Sequence, residues 1–330
     1  MIVSKTPLRI SFAGGGTDLP SFYKKNGFGS VLSTSIDSYI YVVIKKHSNV
    51  FNEKIRLNYS DTELVNDVAK IKNPIIRGCL EFMNIDDHIY ISTVADSPSS
   101  SGLGSSSSFC VGLLNALYKY KGITTSSGRI AEEAAHIEIN ILKRPMGKQD
   151  HYAAAYGGLN GFQFHADGSV TLKPLHIPKE TIHKVFDNMI SFWTNLSRPA
   201  EKVLAEQHKN NHKNKDILLE IRKQVEELTK ILHEKKFNIK DFATVIHKGW
   251  ETKKKLASQV SNPSIDTYYN ISIKNGAYGG KISGAGGGGF LNVFASKNKH
   301  RKIINSLVKE GLKPFKFNSD SLGTTVTKID

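Results

Sequence analysis

The stretch Pro98-Ser-Ser-Ser-Gly-Leu-Gly-Ser-Ser-Ser-Ser-Phe109 decides how the chain folds around its site. Apolar residues follow it at helical spacing, so a helix is predicted to begin near Ser105. Gly102 and Gly104 have no Cβ, and the first turn of a helix offers free N–H groups and a partial positive charge. These features predict a phosphate cradle. A flexible linker that caps a helix would explain the same residues equally well.

The composition indicates a globular protein of roughly two domains, with 330 residues and 39% apolar residues. No apolar run reaches the length of about 20 residues that a membrane-spanning helix needs. The first residues do not resemble a signal peptide. Two cysteines, Cys79 and Cys110, exclude a disulfide framework, and Cys110 lies on the apolar stripe of the predicted helix. We therefore expect a cytoplasmic protein that is not attached to a membrane.

The net charge of +15 raises the question of an anionic partner. Much of it comes from lysines in polar runs, such as 209–215, Lys253-Lys-Lys255 and 297–302. Such runs are typical of a solvated surface, and no aromatic residues are interleaved with them in the manner of a nucleic-acid-binding motif. We expect no nucleic-acid partner, although strongly salt-dependent RNA binding would support that alternative.

Strands and helices alternate irregularly along the chain, which predicts an α+β fold. The second half shows the order strand, helix, helix, strand, helix, strand, with the last strand near 324–327, and this order favours a split βαβ sandwich. Pro174 and Pro178 interrupt the pattern between the halves. The predicted elements are strands at 3–13, 29–36, 39–44, 89–94, 159–165, 169–173, 189–193 and 290–295, and helices at 61–70, 74–83, 127–142, 264–276 and 298–310, besides the helix at 105.

Two acidic residues stand out in the middle of the chain. Glu138 falls on the apolar face of the helix predicted at 127–142, where a carboxylate is costly to bury unless a cation meets it. It is either a satisfied acid at the edge of the stripe or a metal ligand. Asp150 is placed in the first turn of a helix that starts near Lys148, which is by itself an ordinary position for an acid.

Three glycine-rich stretches together resemble the motifs of the GHMP kinase superfamily. They are Arg9-Ile-Ser-Phe-Ala-Gly-Gly-Gly-Thr-Asp18, the cradle stretch, and Gly279-Gly-Lys-Ile-Ser-Gly-Ala-Gly-Gly-Gly-Gly289. The resemblance covers nearly the whole chain, whereas the Walker A and protein-kinase patterns are absent from it. It implies a two-domain fold: an N-terminal domain at 1–183 with a mixed sheet and helices, and a C-terminal ferredoxin-like split βαβ domain at 184–330.

Within that superfamily, Gly14-Gly-Gly-Thr-Asp18, the cradle and Gly147-Lys-Gln-Asp150 are similar to the bacterial D-glycero-D-manno-heptose 7-phosphate kinases. The resemblance implies that ATP and Mg²⁺ are required. It implies transfer of a phosphoryl group to the anomeric hydroxyl of a heptose 7-phosphate, which gives a 1,7-bisphosphate on the way to GDP-heptose for surface polysaccharide. We expect a monomer or a homodimer.

The roles of single residues follow from the same resemblance. Asp150 is the base for the acceptor hydroxyl, and Arg9 assists at the transferring phosphoryl group. Ser106 and Glu138 are the Mg²⁺ ligands. The implied ATP-binding residues are Pro98, Ser101, Gly102, Leu103, Gly104, Ser105, Ser106 and Ser107. The implied substrate-binding residues are Gly15, Gly16, Thr17, Asp18, Gly284 and Gly286, and we add Arg198 for the sugar phosphate in preference to Arg77 and Lys148.

Two other interpretations of the whole chain remain open. One is a kinase for an unphosphorylated sugar such as fucose or mannose, or for mevalonate. The other is a catalytically silent protein that binds a sugar or a nucleotide on the same fold. A binding protein needs no base, so the presence of Ser106, Glu138 and Asp150 favours a kinase.

Overall fold

A computed structural model describes residues 1–197, 200–210 and 213–329. The first half contains strands β1 (Ile2–Ala13), β2 (Phe28–Lys46), β3 (Ile55–Asn58), β4 (Thr62–Val65), β5 (Ile89–Ala95), β6 (Leu159–His165) and β7 (Val170–Pro174). Its helices are α1 (Pro20–Tyr23), α2 (Pro74–Phe82), α3 (Ser105–Tyr120), α4 (Ser127–Ala135), α5 (Gln149–Tyr156) and α6 (Lys179–Asp187), with a 3-10 turn at Val68–Lys70 and a π-helical segment at His136–Ile141.

The second half adds strands β8 (Met189–Trp193), β9 (Gly279–Ile282), β10 (Phe290–Phe294), β11 (Lys313–Phe315) and β12 (Thr325–Lys328). Its helices are α7 (Ala200–Asn210), α8 (Lys215–Leu232), α9 (Ile239–Lys253), α10 (Pro263–Lys274) and α11 (Lys297–Lys309). Within the described ranges, none of these helices combines the length and the apolar character that crossing a membrane requires.

The larger sheet is built around the long antiparallel pair β1 and β2. In the described chain its strands follow the order β12-β1-β2-β5-β3-β4, and β6 and β7 extend from β2. The pairing of β3 with β5 is parallel, whereas β1 pairs with β2 and β12 in antiparallel fashion. The predicted mixed sheet is therefore confirmed.

Helix α3 is the centre of the core, where it packs on β1 and β2. Its leucines Leu113, Leu114 and Leu117 are completely buried, and burying each such side chain stabilises the fold by about 1.5–3 kcal/mol. Cys110 is also buried, with its Sγ 3.7 Å from that of Cys79, and both cysteines are unpaired. The helix that begins at the cradle is thus held rigidly by the sheet.

The smaller sheet has the strand order β11-β8-β10-β9, and all its pairings within the described residues are antiparallel. If the four strands are numbered along the chain, their order in the sheet is fourth, first, third, second. Helices α7–α10 connect β8 to β9, and α11 connects β10 to β11. The predicted ferredoxin-like split βαβ arrangement is confirmed, but its last strand was assigned wrongly. The fourth strand of this sheet is β11. Strand β12 belongs to the larger sheet, because all four of its residues pair with the edge of β1. A domain boundary at residue 183 stays a prediction.

Two local predictions in the first half are wrong. The helix expected at 61–70 is replaced by β4, which pairs with β3, and by the 3-10 turn. Glu63 fixes this turn because its carboxylate accepts hydrogen bonds from the N–H groups of Lys72 and Asn73, at 2.6 and 3.0 Å. The two strands expected at 29–36 and 39–44 are one strand, with a register shift where it passes Pro7 of β1.

Candidate active site

The cradle is formed by a left-handed loop that leads into α3. Gly102 and Gly104 have φ angles of +80° and +78°, a region that glycine enters without strain. Two hydrogen bonds attach the loop to β1: the Arg9 N–H donates to the carbonyl of Leu103 at 3.0 Å, and the Ser108 hydroxyl donates to that of Pro7 at 2.9 Å. The free N–H groups at the start of α3 are thereby fixed beside the middle of β1.

The third glycine-rich stretch packs directly against the cradle. A Cβ at Gly284 would lie 2.7 Å from the Gly102 carbonyl oxygen, and one at Gly102 would lie 2.5 Å from that of Ser283. The N–H of Phe290 donates to the carbonyl of Ser101 at 3.2 Å. Glycine is required here because two backbones touch, so both halves of the chain build the cradle.

Arg9 and Asp150 form a bidentate ion pair at the cavity. The guanidinium donates from Nε and Nη2 to the two carboxylate oxygens, at 2.7 and 2.6 Å. Its third group, Nη1, donates to the Gly102 carbonyl at 2.6 Å. Arg9 is nearly buried and Asp150 is mostly so. The two residues expected to act in catalysis are thus brought together, in contact with the cradle.

The first glycine-rich stretch forms a tight turn beside this pair. Thr17 is completely buried, and its hydroxyl donates to the carbonyl of Gly14 at 2.8 Å and lies 2.9 Å from that of Ser30, so it holds the turn. Asp18 accepts hydrogen bonds from the N–H of Gly16 at 3.0 Å and of Gln149 at 3.4 Å. Burial, and next to it the negative charge of Asp150, raise the pKa of the Asp18 carboxyl above its usual value.

These elements surround a cavity of about 520 Å³. Of the residues expected from the sequence, those that line it are Arg9, Gly15, Gly16, Asp18, Gly102, Gly104, Ser105, Ser106, Asp150 and Gly284. Those placed outside its lining are Thr17, Pro98, Ser101, Leu103, Ser107, Glu138 and Gly286. Helices α7, α8 and α9 also contribute to the wall, through residues such as Leu204, Gln207, Ile221 and Gln224.

Glu138 lies behind the cavity in the π-helical segment and is completely buried. Arg144 Nη1 donates to its Oε1 at 2.5 Å, and His151 Nε2 lies 2.8 Å from its Oε2. Burial by itself raises the pKa of this carboxyl, but the hydrogen bond and charge of His151 and the charge of Arg144 outweigh it and lower the pKa below its usual value. Arg144 supplies a cation for this buried carboxylate, and the role of Glu138 as a metal ligand stays a prediction.

The sequence matches two family models and a full-length relative. The models are the GHMP kinases N terminal domain, at 63–158, and the GHMP kinases C terminal domain, at 211–313. A D-glycero-alpha-D-manno-heptose 7-phosphate kinase from Campylobacter jejuni is 32% identical over 324 residues, which cover 94% of each chain. The chain belongs to the GHMP kinase family. This GHMP kinase is an ATP-dependent phosphotransferase whose acceptor is an alcohol group.

Other proteins similar to this GHMP kinase include one matched by sequence and one matched by structure. The L-fucokinase/L-fucose-1-P guanylyltransferase of Bacteroides fragilis is 24% identical over 349 residues, which cover 94% of this chain and 36% of that protein. The crystal structure of a D-glycero-D-manno-heptose 1-phosphate kinase from Bacteroides thetaiotaomicron superposes with a TM-score of 0.82 at 23% identity, over 100% of both chains. At that identity the superposition shows the fold alone.

In this GHMP kinase the two expected Mg²⁺ ligands, Ser106 and Glu138, do not form a preformed cation site. Oxygen ligands suit Mg²⁺, but both carboxylate oxygens of Glu138 already have partners in Arg144 and His151. Ser106 lines the cavity whereas Glu138 does not. Within the described ranges, no group of three or more acidic, histidine or cysteine side chains could hold a metal ion. No chemical step is therefore assigned to a metal below.

Two buried lysines of the kinase line the cavity and were missed at the sequence level. Lys253 was assigned to a solvated surface, but it is only 8% exposed and donates to the carbonyl of Gly284. Lys281 is equally buried and donates to the carbonyls of Ser11 and Phe12, at 2.8 and 3.1 Å. A signal for Lys253 existed, since it continues the apolar stripe of α9 three residues after Trp250.

Of the three residues considered for a sugar phosphate, the structure places two, and both lie outside the lining of the cavity. Arg198 lies outside the described residues. Arg77 donates to the carbonyl of Ile71 at 2.9 Å, and Lys148 pairs with Glu132 at 2.7 Å and with the carbonyl of Gly168 at 2.8 Å. Neither of these two belongs to the lining of the cavity, so neither is well placed to receive a ligand there.

Proposed function

We propose that this kinase transfers the γ-phosphoryl group of ATP to the anomeric hydroxyl of D-glycero-D-manno-heptose 7-phosphate. The product would be the 1,7-bisphosphate, on the way to GDP-heptose for surface polysaccharide. The bidentate pair of Arg9 and Asp150, fixed against the cradle at Gly102, carries the proposal. The 32% identical relative, whose name gives this substrate, supports it.

We propose a task for each group at the cavity. The N–H groups at the start of α3, from Ser105 onward, receive the phosphates of ATP because they have no partners within the helix. Asp18 binds hydroxyl groups of the sugar from the other side of the cavity. Gly15 and Gly16 allow the sugar to approach the backbone closely, and Gly284 closes the cradle.

Asp150 accepts the proton of the acceptor hydroxyl. A carboxylate has about four lone-pair sites, so two hydrogen bonds from Arg9 leave acceptor capacity for the hydroxyl. Arg9 holds the carboxylate in one orientation and places positive charge next to the cradle. Because the anomeric hydroxyl is more acidic than an ordinary alcohol, a paired carboxylate is a sufficient base. Positioning and charge neutralisation are the main demands of phosphoryl transfer.

We retain Mg²⁺ as a proposed cofactor, with Ser106 and Glu138 as its proposed ligands. The metal would neutralise charge on the phosphates of ATP. For Glu138 to serve, Arg144 or His151 would have to release a carboxylate oxygen. Arg198 stays a predicted contact for the 7-phosphate. A cytoplasmic location is supported by the two unpaired cysteines, since reduced thiols are typical of that compartment.

The experiment that tests the function is a coupled ADP-release assay with MgATP and D-glycero-D-manno-heptose 7-phosphate. Fucose, mannose and mevalonate serve as the comparison substrates. Turnover with the heptose phosphate alone would support the proposal. Turnover with fucose or mannose instead would favour an unphosphorylated sugar as the substrate, which the B. fragilis relative makes the second candidate. No ADP release with any of them would favour a silent binding protein.

A further inference from the structure

Lys253, the last residue of α9, is a buried cation with little to neutralise it. Its ammonium group donates to the carbonyl of Gly284, and among the described residues it takes part in no ion pair. An ammonium carries three donor hydrogens, and a buried charge is costly without a partner. Lys254, the next residue, instead pairs with Glu251 at 2.9 Å and with Asp266 at 3.5 Å on the outside of the helix.

The position of Lys253 relates it to phosphoryl transfer. Its acceptor Gly284 touches Gly102, and the carbonyl of Gly102 is also the acceptor for Arg9 Nη1. Lys253 and Arg9 therefore approach the same contact between two backbone segments from different elements. The charges that act most on Lys253 are those of Arg9, Asp18 and Asp150, which are the groups of the proposed centre.

At this centre the arginines are paired with carboxylates, whereas Lys253 forms no ion pair with any described residue. Arg9 is neutralised by Asp150, and Arg144, the fourth cation of the cavity wall, is bound to Glu138 and to Glu201. Lys281 uses its ammonium group to join two carbonyls of β1. Among the described residues of the wall, Lys253 is thus the cation best able to bind a negatively charged group of an arriving ligand.

We infer that Lys253 is a catalytic residue whose ammonium binds the phosphoryl group during its transfer from ATP to the sugar. In this step the bond between the γ-phosphorus and the bridging oxygen breaks, and ADP leaves with that electron pair. A bond forms from the sugar oxygen to the phosphorus, and the hydroxyl proton passes to Asp150. Lys253 stays protonated throughout. The inference rests on the proposed kinase function and adds a residue to it.

The titration of Lys253 is compatible with this role. Burial, and after it the charge of Arg9, lower the pKa of the ammonium to about 8, while Asp18 and Asp150 act in the opposite direction. The neighbouring Lys281 is also buried, and its own pKa is lowered by burial and by Lys253. Most Lys253 side chains therefore carry a charge at neutral pH, and an arriving phosphoryl group would stabilise that charge.

A phosphate at Lys253 could come from two sources, the transferring group or the 7-phosphate of the sugar. The test compares Lys253→Met with Lys254→Met, which removes the adjacent, partly buried ammonium that is paired with Glu251 and Asp266. Turnover is measured with ATP and the heptose phosphate. The affinities for that sugar and for a non-hydrolysable ATP analogue are measured by calorimetry. If Lys253→Met does not fold, as judged by circular dichroism, Lys253→Gln takes its place.

We expect Lys253→Met to lower kcat by about 10²- to 10³-fold, the usual loss for one group that stabilises a transition state. Both affinities should stay within about threefold of the wild type, and Lys254→Met should keep full activity. A second readout is the binding of ADP with aluminium fluoride in the presence of the sugar, which imitates the transferring group. Lys253→Met should weaken it at least tenfold.

Two results would overturn the inference. An affinity for the sugar that falls tenfold or more with kcat preserved would make Lys253 a contact for the 7-phosphate. A kcat within threefold of the wild type would remove it from the reaction. If the wild type instead phosphorylates a different sugar, the proposed substrate fails, and the comparison of variants is made with that sugar, so the two failures are told apart.

Discussion

The carboxylate of Asp150 is held by two parallel hydrogen bonds from the guanidinium of Arg9, although the residues are 141 positions apart in the chain. Asp150→Asn keeps the shape of the side chain and removes the base. We expect kcat to fall by about 10²- to 10⁴-fold, the usual contribution of general-base catalysis. Calorimetry with an ATP analogue should show nearly unchanged binding. A kcat close to that of the wild type would remove Asp150 from the role of base.

Asp18 is the proposed contact for sugar hydroxyls, and Asp18→Asn removes its charge while preserving its size. Hydrogen bonds to a charged group contribute about 1.5–3 kcal/mol, so the KM for the sugar should rise by about ten- to a hundredfold. The KM for ATP should change little, because the cradle is formed by other residues. A rise in both KM values by the same factor would indicate that the variant disturbs the turn at Gly16 rather than the sugar contact.

The buried charge of Lys253 should lower the free energy of unfolding of the unliganded protein. Its pKa is about 8 in the folded state against an ordinary value of 10.5, and 2.5 units correspond to an upper limit of about 3 kcal/mol. Below pH 8 both the folded and the unfolded state are protonated, so the cost is fully present. Between pH 8 and 10.5 the folded state loses its proton first, and the cost disappears.

Lys253→Met is therefore expected to raise the melting temperature at pH 7, although it should lower activity. The gain over the wild type should shrink as the pH approaches 10.5. Thermal melts of both proteins at pH 7 and pH 10 measure this difference. An equal gain at both pH values would assign the effect to packing rather than to the buried charge.

Glu138 joins Arg144 and His151, and Glu138→Ala leaves both without their shared carboxylate. Breaking a buried pair in this way destabilises a protein by about 3–5 kcal/mol. Arg129→Ala is a matched contrast, because Arg129 is 58% exposed in its pair with Glu133 and should contribute less than about 1 kcal/mol. Urea denaturation compares the two variants. Similar midpoints would show that the Glu138 cluster contributes no more than a surface pair.

Gly284 should tolerate no side chain. Its φ is +64°, and a Cβ would lie 2.7 Å from the Gly102 carbonyl oxygen. Gly168→Ala is the control, since Gly168 has a φ of +91° but no atom within 4 Å of a Cβ, so it reports the backbone strain alone. We expect Gly284→Ala to weaken ATP binding at least tenfold and Gly168→Ala to leave it unchanged. Equal nucleotide affinities would contradict the close packing of the cradle.

The cradle and its helix could be predicted because their signals are local. Glycines, small residues and an apolar stripe within 20 positions predict a close-approach loop and a helix that begins near Ser105, and α3 does begin at Ser105. The helix expected at 61–70 failed for the opposite reason. Its outcome depends on a pairing with β3 and on hydrogen bonds that Glu63 accepts from a later segment, neither of which is encoded in the window itself.

The two buried lysines of the cavity show that tertiary contacts also limit what the sequence predicts about the site. Lys253 belongs to a run of three lysines, and a run of like charges usually remains in water. The apolar stripe of α9 marks Lys253 as the one to be buried, but its contact with the third glycine-rich stretch depends on tertiary packing. Lys281 stands inside a motif whose glycines were recognised, but its partners are carbonyls of β1, 270 positions away in the chain. Sequence reasoning had no basis for that contact.

The contact of Gly102 with Gly284 limits how this chain could recombine with its relatives. A chimera that joined the first half of this protein to the second half of a homologue would inherit one glycine from each parent. The chimera would fold with an intact cradle only if both parents had glycine at these two positions. A homologue with a side chain at either position must hold the two segments further apart, so its half would not fit the half of a parent that has both glycines. Descent through exchange of halves is therefore restricted to parents that match at this one point.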